Sequence, residues 1–272
     1  MSEDRIRKAF ETAQTEGRIA LVPYVTVGFP EVGLTTDIVR AISEAGADVI
    51  ELGVPFSDPL GDGPTIQASG HTALMNGVTP QDCIVAAKEI RAAGIETPLV
   101  FMGYYNNILT VGLDKYCASV ADAGVDGLIV ADLPAAEAGP LEDAADHAGI
   151  SLIPLLALTS TDEAIEHACE RASGFVYCIS VLGVTGARTQ VSARVQGLVE
   201  KVRKFTDLPV AIGFGISTAD HVSEVAEYAD GAVVGSALIN ELADGLAAEA
   251  ADRGREYIAS LKPGTNKKVV AN

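Results

Sequence analysis

Long apolar runs are missing from this 272-residue chain. The longest, such as "IALVPYV" and "GLIVA", fall far short of the roughly 20 residues that span a bilayer. Basic residues are scarce as well: 19 stand against 37 acidic ones, a formal net charge of -18. That balance excludes nucleic acid and anionic membrane as partners, because both select basic surfaces. Only eight of the bases are lysine. An acidic, lysine-poor shell suits a protein that stays soluble in concentrated salt, where screening removes self-repulsion. A halophilic origin is therefore expected. The N-terminus "MSEDRIRKAF" is charged from its third residue, which is not the pattern of a secretory signal, and a cytoplasmic protein is expected.

The four cysteines (Cys83, Cys117, Cys169 and Cys178) are scattered and form no C-x-x-C pair. They read as small core residues rather than as a zinc site or disulfide framework. His71, His147, His167 and His221 fall in helical stretches and form no metal cluster with the acids, so no metal is expected. No lysine lies at the end of an expected strand, which argues against a Schiff-base aldolase. There is also no G-x-G-x-x-G after the first strand, the feature an open dinucleotide-binding sheet would carry.

What the chain does have is regular alternation of β-rich runs and amphipathic helical stretches. Ile6, Ala9, Phe10 and Ala13 share one face of a first helix that Gly17 ends. Eight strands follow: "IALVPYV", "DVIELGV", "PLVFMG", "GLIVADL", "SLIPLLAL", "GFVYCIS", "LPVAIGFG" and "GAVVGS". A fragment recurs as "AGADVIELG", "AGVDGLIVAD" and "YADGAVVGS", each joining a helix end, an Asp and a β-rich run. Strands without polar alternation are buried on both faces and parallel. Eight of them imply one (β/α)8 barrel with an extra N-terminal helix. It is expected to occupy residues 1–262, with 263–272 as a frayed tail.

In such barrels chemistry sits where strands end at their C-termini. Glu51 closes the second strand in "ELGVPFSDPLGDGP". An acid buried there is held by backbone or neighbouring groups, or else has its pKa raised by desolvation and transfers protons. Asp62 lies between Gly61 and Gly63 in a loop restrained by Pro55, Pro59 and Pro64. Asp58, in "SDP", reads as a turn residue. Three glycine loops, "GVTGAR" (183–188), "GFGIS" (213–217) and "GSALIN" (235–240), follow three consecutive strands. Their bare N–H groups are a phosphate signal, with tight packing at strand ends as the alternative. The residues leave acid–base chemistry by carboxylates on a phosphorylated substrate. A phosphosugar isomerase or epimerase, or a barrel kept to activate a partner, remain open at this point.

The segment "ELGVPFSDPLGDGPTIQ" closely resembles the signature of the tryptophan synthase α-subunit family. The likeness continues through "VPYVTVGFP", "GVTP", "GYYN", "VADLP", "GVTGAR", "GFGIS" and "GSALI", in order along nearly the whole chain. The resemblance implies a barrel that cleaves indole-3-glycerol phosphate to indole and glyceraldehyde 3-phosphate. It also implies a β-subunit partner in an α2β2 heterotetramer, with pyridoxal phosphate in that partner and no cofactor in this chain. By motif, Glu51 and Asp62 match the family's catalytic acids, and Tyr177 matches a tyrosine lining the site. Tyr104 and Asn106 match positions near the indole pocket and the subunit interface. Gly186, Gly213, Phe214, Gly215, Gly235 and Ser236 match the phosphate surroundings. Loops 54–64 and 181–190 and Pro134 would meet the partner and close over substrate. Two residues depart from the pattern: Phe29 stands where some relatives carry an acid, and Gly61 where alanine is commoner.

Overall fold

The computed structural model describes residues 2–179, 188–213 and 215–267; residues 1, 180–187, 214 and 268–272 lie outside the described residues, as do the side chains of 2–4 and 188–192. Nine strands run parallel: β1 (Ala20–Thr26), β2 (Ile50–Gly53), β3 (Leu99–Gly103), β4 (Gly127–Val130), β5 (Ser151–Leu152), β6 (Leu155–Ala157), β7 (Val176–Ile179), β8 (Val210–Gly213) and β9 (Gly231–Val234). Their order is β5-β4-β3-β2-β1-β9-β8-β7-β6. The count exceeds the expected eight because "SLIPLLAL" is interrupted. Its first half pairs with β4 and its second half with β7. Pro154 sits at the break and has no N–H to offer a ladder. Ile153 N–H still donates to Leu128 O on one side (2.9 Å), and Pro154 O accepts from Tyr177 N–H on the other (3.0 Å). The two ends of the sheet are thus joined by one short stretch of chain, and the barrel closes there.

Alternate residues of each strand point inward. Ala20, Val22, Val49, Val100, Ile129, Ile153, Phe175, Ala211 and Val233 fill the interior, and Ile6, Phe10 and Ala13 join them from the helix Ser2–Thr15. The Phe10 and Phe175 rings meet at 5.3 Å. That helix therefore plugs the N-terminal end of the barrel, as its single apolar face predicts. The second helix is shorter than "EVGLTTDIVRAISEAG" suggests, since it starts at Thr35. A larger core fills the space between the outer strand faces and the surrounding helices.

The recurring fragment has a structural meaning. Asp48, Asp126 and Asp230 each precede a strand and bond the neighbouring one twice. Their N–H groups donate to Leu21, Leu99 and Val210 carbonyls (2.9, 2.8 and 2.8 Å). Their carboxylates accept from the N–H of the same three residues (2.8, 2.9 and 3.1 Å). Each also takes an arginine. Arg18 grips Asp48 with two bonds (2.7 and 2.8 Å), Arg91 and Arg5 share Asp126 (2.7 and 3.0 Å), and Arg203 reaches Asp230 (2.8 Å). Carboxylate, backbone donor and guanidinium satisfy one another, which is what makes these acids tolerable at strand starts.

The expectation of a frayed end from residue 263 is corrected over 263–267. Lys262–Thr265 forms a 3-10 turn. Ile19 N–H donates to Thr265 O (2.9 Å) and Lys267 N–H to Gly17 O (2.9 Å). Thr265 is buried, and Gly264 packs so tightly on Ala219 that no Cβ would fit. The four cysteines are free and buried, as their scatter predicts. No described helix is long and apolar enough to cross a membrane.

Candidate active site

The end of the barrel opposite the N-terminal helix gathers the acids and tyrosines. Tyr24 of β1 and Glu51 of β2 are Cα partners in the parallel register, so their side chains stand side by side. Glu51 is 1% exposed, and neither carboxylate oxygen has a hydrogen-bond partner. Burial alone pushes its pKa up to about 8. No backbone or neighbouring-strand group bonds this carboxyl among the described residues.

Asp62 arrives from the loop between β2 and the helix Pro64–Met75. It is half-buried, and desolvation raises its pKa to about 6 against the opposing effect of a bond from the Tyr104 hydroxyl. That hydroxyl also accepts from Gly61 N–H (3.0 Å), so one tyrosine grips the loop twice. The Tyr104 ring stacks on Phe56 at 5.0 Å. Gln67 Nε2 completes the hold by donating to the carbonyls of Asp62 (2.8 Å) and Pro59 (3.3 Å). Asp58 accepts from Ser57 Oγ at the exposed side of the loop, in keeping with a turn role. A Cβ on Gly61 would lie 3.3 Å from Tyr104 Oη, so glycine relieves a close contact there as well as adding freedom.

Tyr177 of β7 is buried in the same cavity. Desolvation first, and then the nearby Glu51 and Asp62 charges, raise its hydroxyl well above the ordinary value. Tyr24 and Tyr104 are raised for the same leading reason. All three phenols thus stay protonated at neutral pH and serve as hydrogen-bond donors or acceptors. Two strand-end glycines make room for them. A Cβ on Gly53 would collide with the Tyr24 hydroxyl, and one on Gly213 with the Tyr177 hydroxyl.

Of the phosphate candidates, Gly213 ends β8, and Gly215 follows at φ +75°, a conformation that favours glycine. Gly235 precedes the helix Ser236–Ala243 beyond β9, and that helix start has no side-chain cap. Ser236 is exposed there. These four lie at the C-terminal ends of adjacent strands, and the uncapped helix start at Ser236 is suited to an anion. Gly186, Phe214 and most of loop 181–190 lie outside the described residues. Asn106 is exposed on the helix Tyr105–Val111, next to Tyr105 and two residues after Tyr104. Phe29 is buried, and Pro134 is exposed.

Tyr24, Phe56 and Gln67 are site residues that motif reading alone passes over. The signal for Tyr24 is its place one strand level with Glu51, which parallel register would have exposed. Among the described residues no three His, Cys, Asp or Glu side chains come together as a metal site, and no lysine sits at the C-terminal end of a strand.

Comparison with known proteins accords with this geometry. Residues 10–268 match the family model described as tryptophan synthase alpha chain. The tryptophan synthase alpha chain of Chloroflexus aggregans is 47% identical over 264 residues, covering 97% of this chain and 99% of that one. Among solved structures, tryptophan synthase from M. tuberculosis in its aminoacrylate-bound form aligns with a TM-score of 0.86 at 34% identity, covering 96% of this chain and 99% of that one. The alpha subunit from Legionella pneumophila str. Paris gives 0.89 at 31%, covering 97% and 99%. A barrel closed at one end by a helix, with two acids and three tyrosines gathered at the other, belongs to the tryptophan synthase alpha chain family.

Proposed function

We propose that Glu51 and Asp62 are the acids with which this lyase of tryptophan biosynthesis cleaves indole-3-glycerol phosphate. The observation that carries the reading is the unpartnered, fully buried Glu51 carboxyl, close to the same two tyrosines, Tyr24 and Tyr177, as the acid delivered by the loop, Asp62. Near neutrality Glu51 holds its proton and can give it to C3 of the indole ring. The positive charge that develops on the ring falls at N1–H, where Asp62, still ionised, stabilises it. Glu51, now a carboxylate, takes the proton of the hydroxyl on the carbon bonded to C3. The C–C bond breaks, its electron pair returns to the ring, and indole and glyceraldehyde 3-phosphate leave. Tyr177 lines the ring pocket, and the strand-end segments that carry Gly213, Gly215, Gly235 and Ser236, with Gly186 and Phe214, surround the phosphate.

The indole passes to the β subunit, which is the partner of this family and holds the pyridoxal phosphate. Exposed Leu60 (94%) on the Asp62 loop and Leu109 on the helix after Tyr104 supply apolar surface for that contact, and Pro134 is exposed as well. The assembly is an α2β2 heterotetramer of the cytoplasm, and the acidic, lysine-poor surface supports a halophilic source. The test is indole release from indole-3-glycerol phosphate in low and in high potassium chloride, with and without a β subunit. Indole that appears faster with the partner supports chemistry and assembly together. A high-salt requirement supports the halophile reading. No indole under any condition would leave a phosphate-binding barrel of another substrate.

A further inference from the structure

The helix Pro64–Met75 begins two residues after Asp62, yet it is thinly attached to the barrel. Of its twelve residues only Ser69 and Ala73 are buried, both of them small, and Ile66 packs partly on the core. It has no side-chain cap at its start. So little apolar contact leaves the helix free to shift unless something specific fixes it. One buried polar contact does. Ser69 Oγ and Thr26 Oγ1 lie 2.7 Å apart, with both residues almost wholly shielded (1% and 2% exposed). Ser69 Oγ donates to Ile66 O (2.9 Å), so Thr26 Oγ1 is the donor within the pair, and Tyr24 Oη lies 3.4 Å from Thr26 Oγ1.

Thr26 is the last residue of β1 and the register partner of Gly53, two residues beyond Glu51 on β2. From Ser69 the helix leads back to Gln67, which holds the carbonyls of Asp62 and Pro59. A continuous set of bonds therefore runs from the strand pair that carries Glu51 to the loop that carries Asp62. We propose that Thr26 and Ser69 are positioning residues, a buried hydroxyl pair that sets the placement of Asp62 relative to Glu51. They act through the helix and touch no reacting atom. Misplacement of a catalytic group by about an ångström is enough to slow chemistry up to about a hundredfold.

The inference rests on the roles assigned to Glu51 and Asp62, and the test separates the two. Thr26→Val keeps shape and removes the hydroxyl; Thr26→Ser keeps the hydroxyl. In the full chain with its β subunit, Thr26→Val is expected to lower kcat for indole release about tenfold, with KM changed less than about twofold. Thr26→Ser restores kcat. The double variant Thr26→Val/Ser69→Ala leaves neither hydroxyl of the pair stranded, so it recovers part of the thermal stability but not kcat. Amide hydrogen exchange at residues 60–62 quickens in Thr26→Val and in the double variant. A kcat that follows stability back up in the double variant, or exchange at 60–62 that is unchanged, would overturn the proposal. If the unmodified protein released no indole, the catalytic reading would fail by itself, and the exchange at 60–62 would still decide this one.

Discussion

Tyr24 and Glu51 stand at one level of adjacent parallel strands, so a protonated phenol and an unpartnered carboxyl share one wall of the cavity. Ordinary folding energetics disfavours such a carboxyl. On the proposed catalytic role, its place at the end of a core strand serves the reaction and not stability.

The cost of Glu51 should be measurable. Its pKa is about 8 when folded against 4.5 for an ordinary glutamate, so between those values the folded state binds the extra proton. Stability then falls as pH rises through that window. The penalty is small near pH 5 and grows by on the order of 3 kcal/mol towards pH 8. Glu51→Gln has no such titration. Melting curves of the two proteins should therefore diverge with rising pH, the variant gaining. Parallel curves would show that the carboxyl is solvated or paired.

Activity should follow a bell. Asp62 must be ionised and Glu51 protonated at the start of turnover, which places the limbs of kcat/KM near pH 6 and pH 8. Asp62→Asn is expected to lose the lower limb and to lower kcat/KM about a hundredfold or more, in the range seen when a group stabilising developing charge is removed. A profile in Asp62→Asn that kept its lower limb would assign that limb to another group.

Tyr104→Phe removes the hydroxyl that bonds Asp62 and accepts from Gly61 N–H, while the stack on Phe56 survives. The bond lowers the pKa of Asp62, so its loss should move the acid limb to higher pH and reduce kcat/KM by about tenfold. An acid limb that stayed in place would show that Tyr104 acts only as packing.

Asp126 offers the opposite case, an acid that stabilises and takes no part in chemistry. It is fully buried beneath Arg91 and Arg5 and also accepts from Leu99 N–H. Asp126→Ala strands the partly shielded Arg91, and removing one member of such a set costs about 3–5 kcal/mol. The melting temperature should drop by about 5–15 °C, while kcat of the folded fraction stays within about twofold. A selective loss of kcat would give this aspartate a part in the site.

The repeat, the strand-like runs and the Glu51–Asp62 motif are all legible in the one-dimensional chain, because each is local. Alternation of periods reveals the barrel, and an acid closing an apolar run marks the site. What stayed hidden is non-local. The break at Pro154 depends on one stretch serving two neighbours, and a proline within an apolar run does not announce that. Tyr24 is a core aromatic until strand register sets it beside Glu51. Residues 263–267 look like a polar tail, but their backbone groups pair with Gly17 and Ile19.

The central claim is that Glu51 carries the proton and does not merely shape the pocket. The direct measurement is indole formation by Glu51→Gln with its β subunit, alongside binding of glycerol phosphate to the same variant. The account predicts that indole formation disappears while glycerol phosphate binds within about threefold of the unmodified protein. Indole formation that survives at most of its original rate would contradict it.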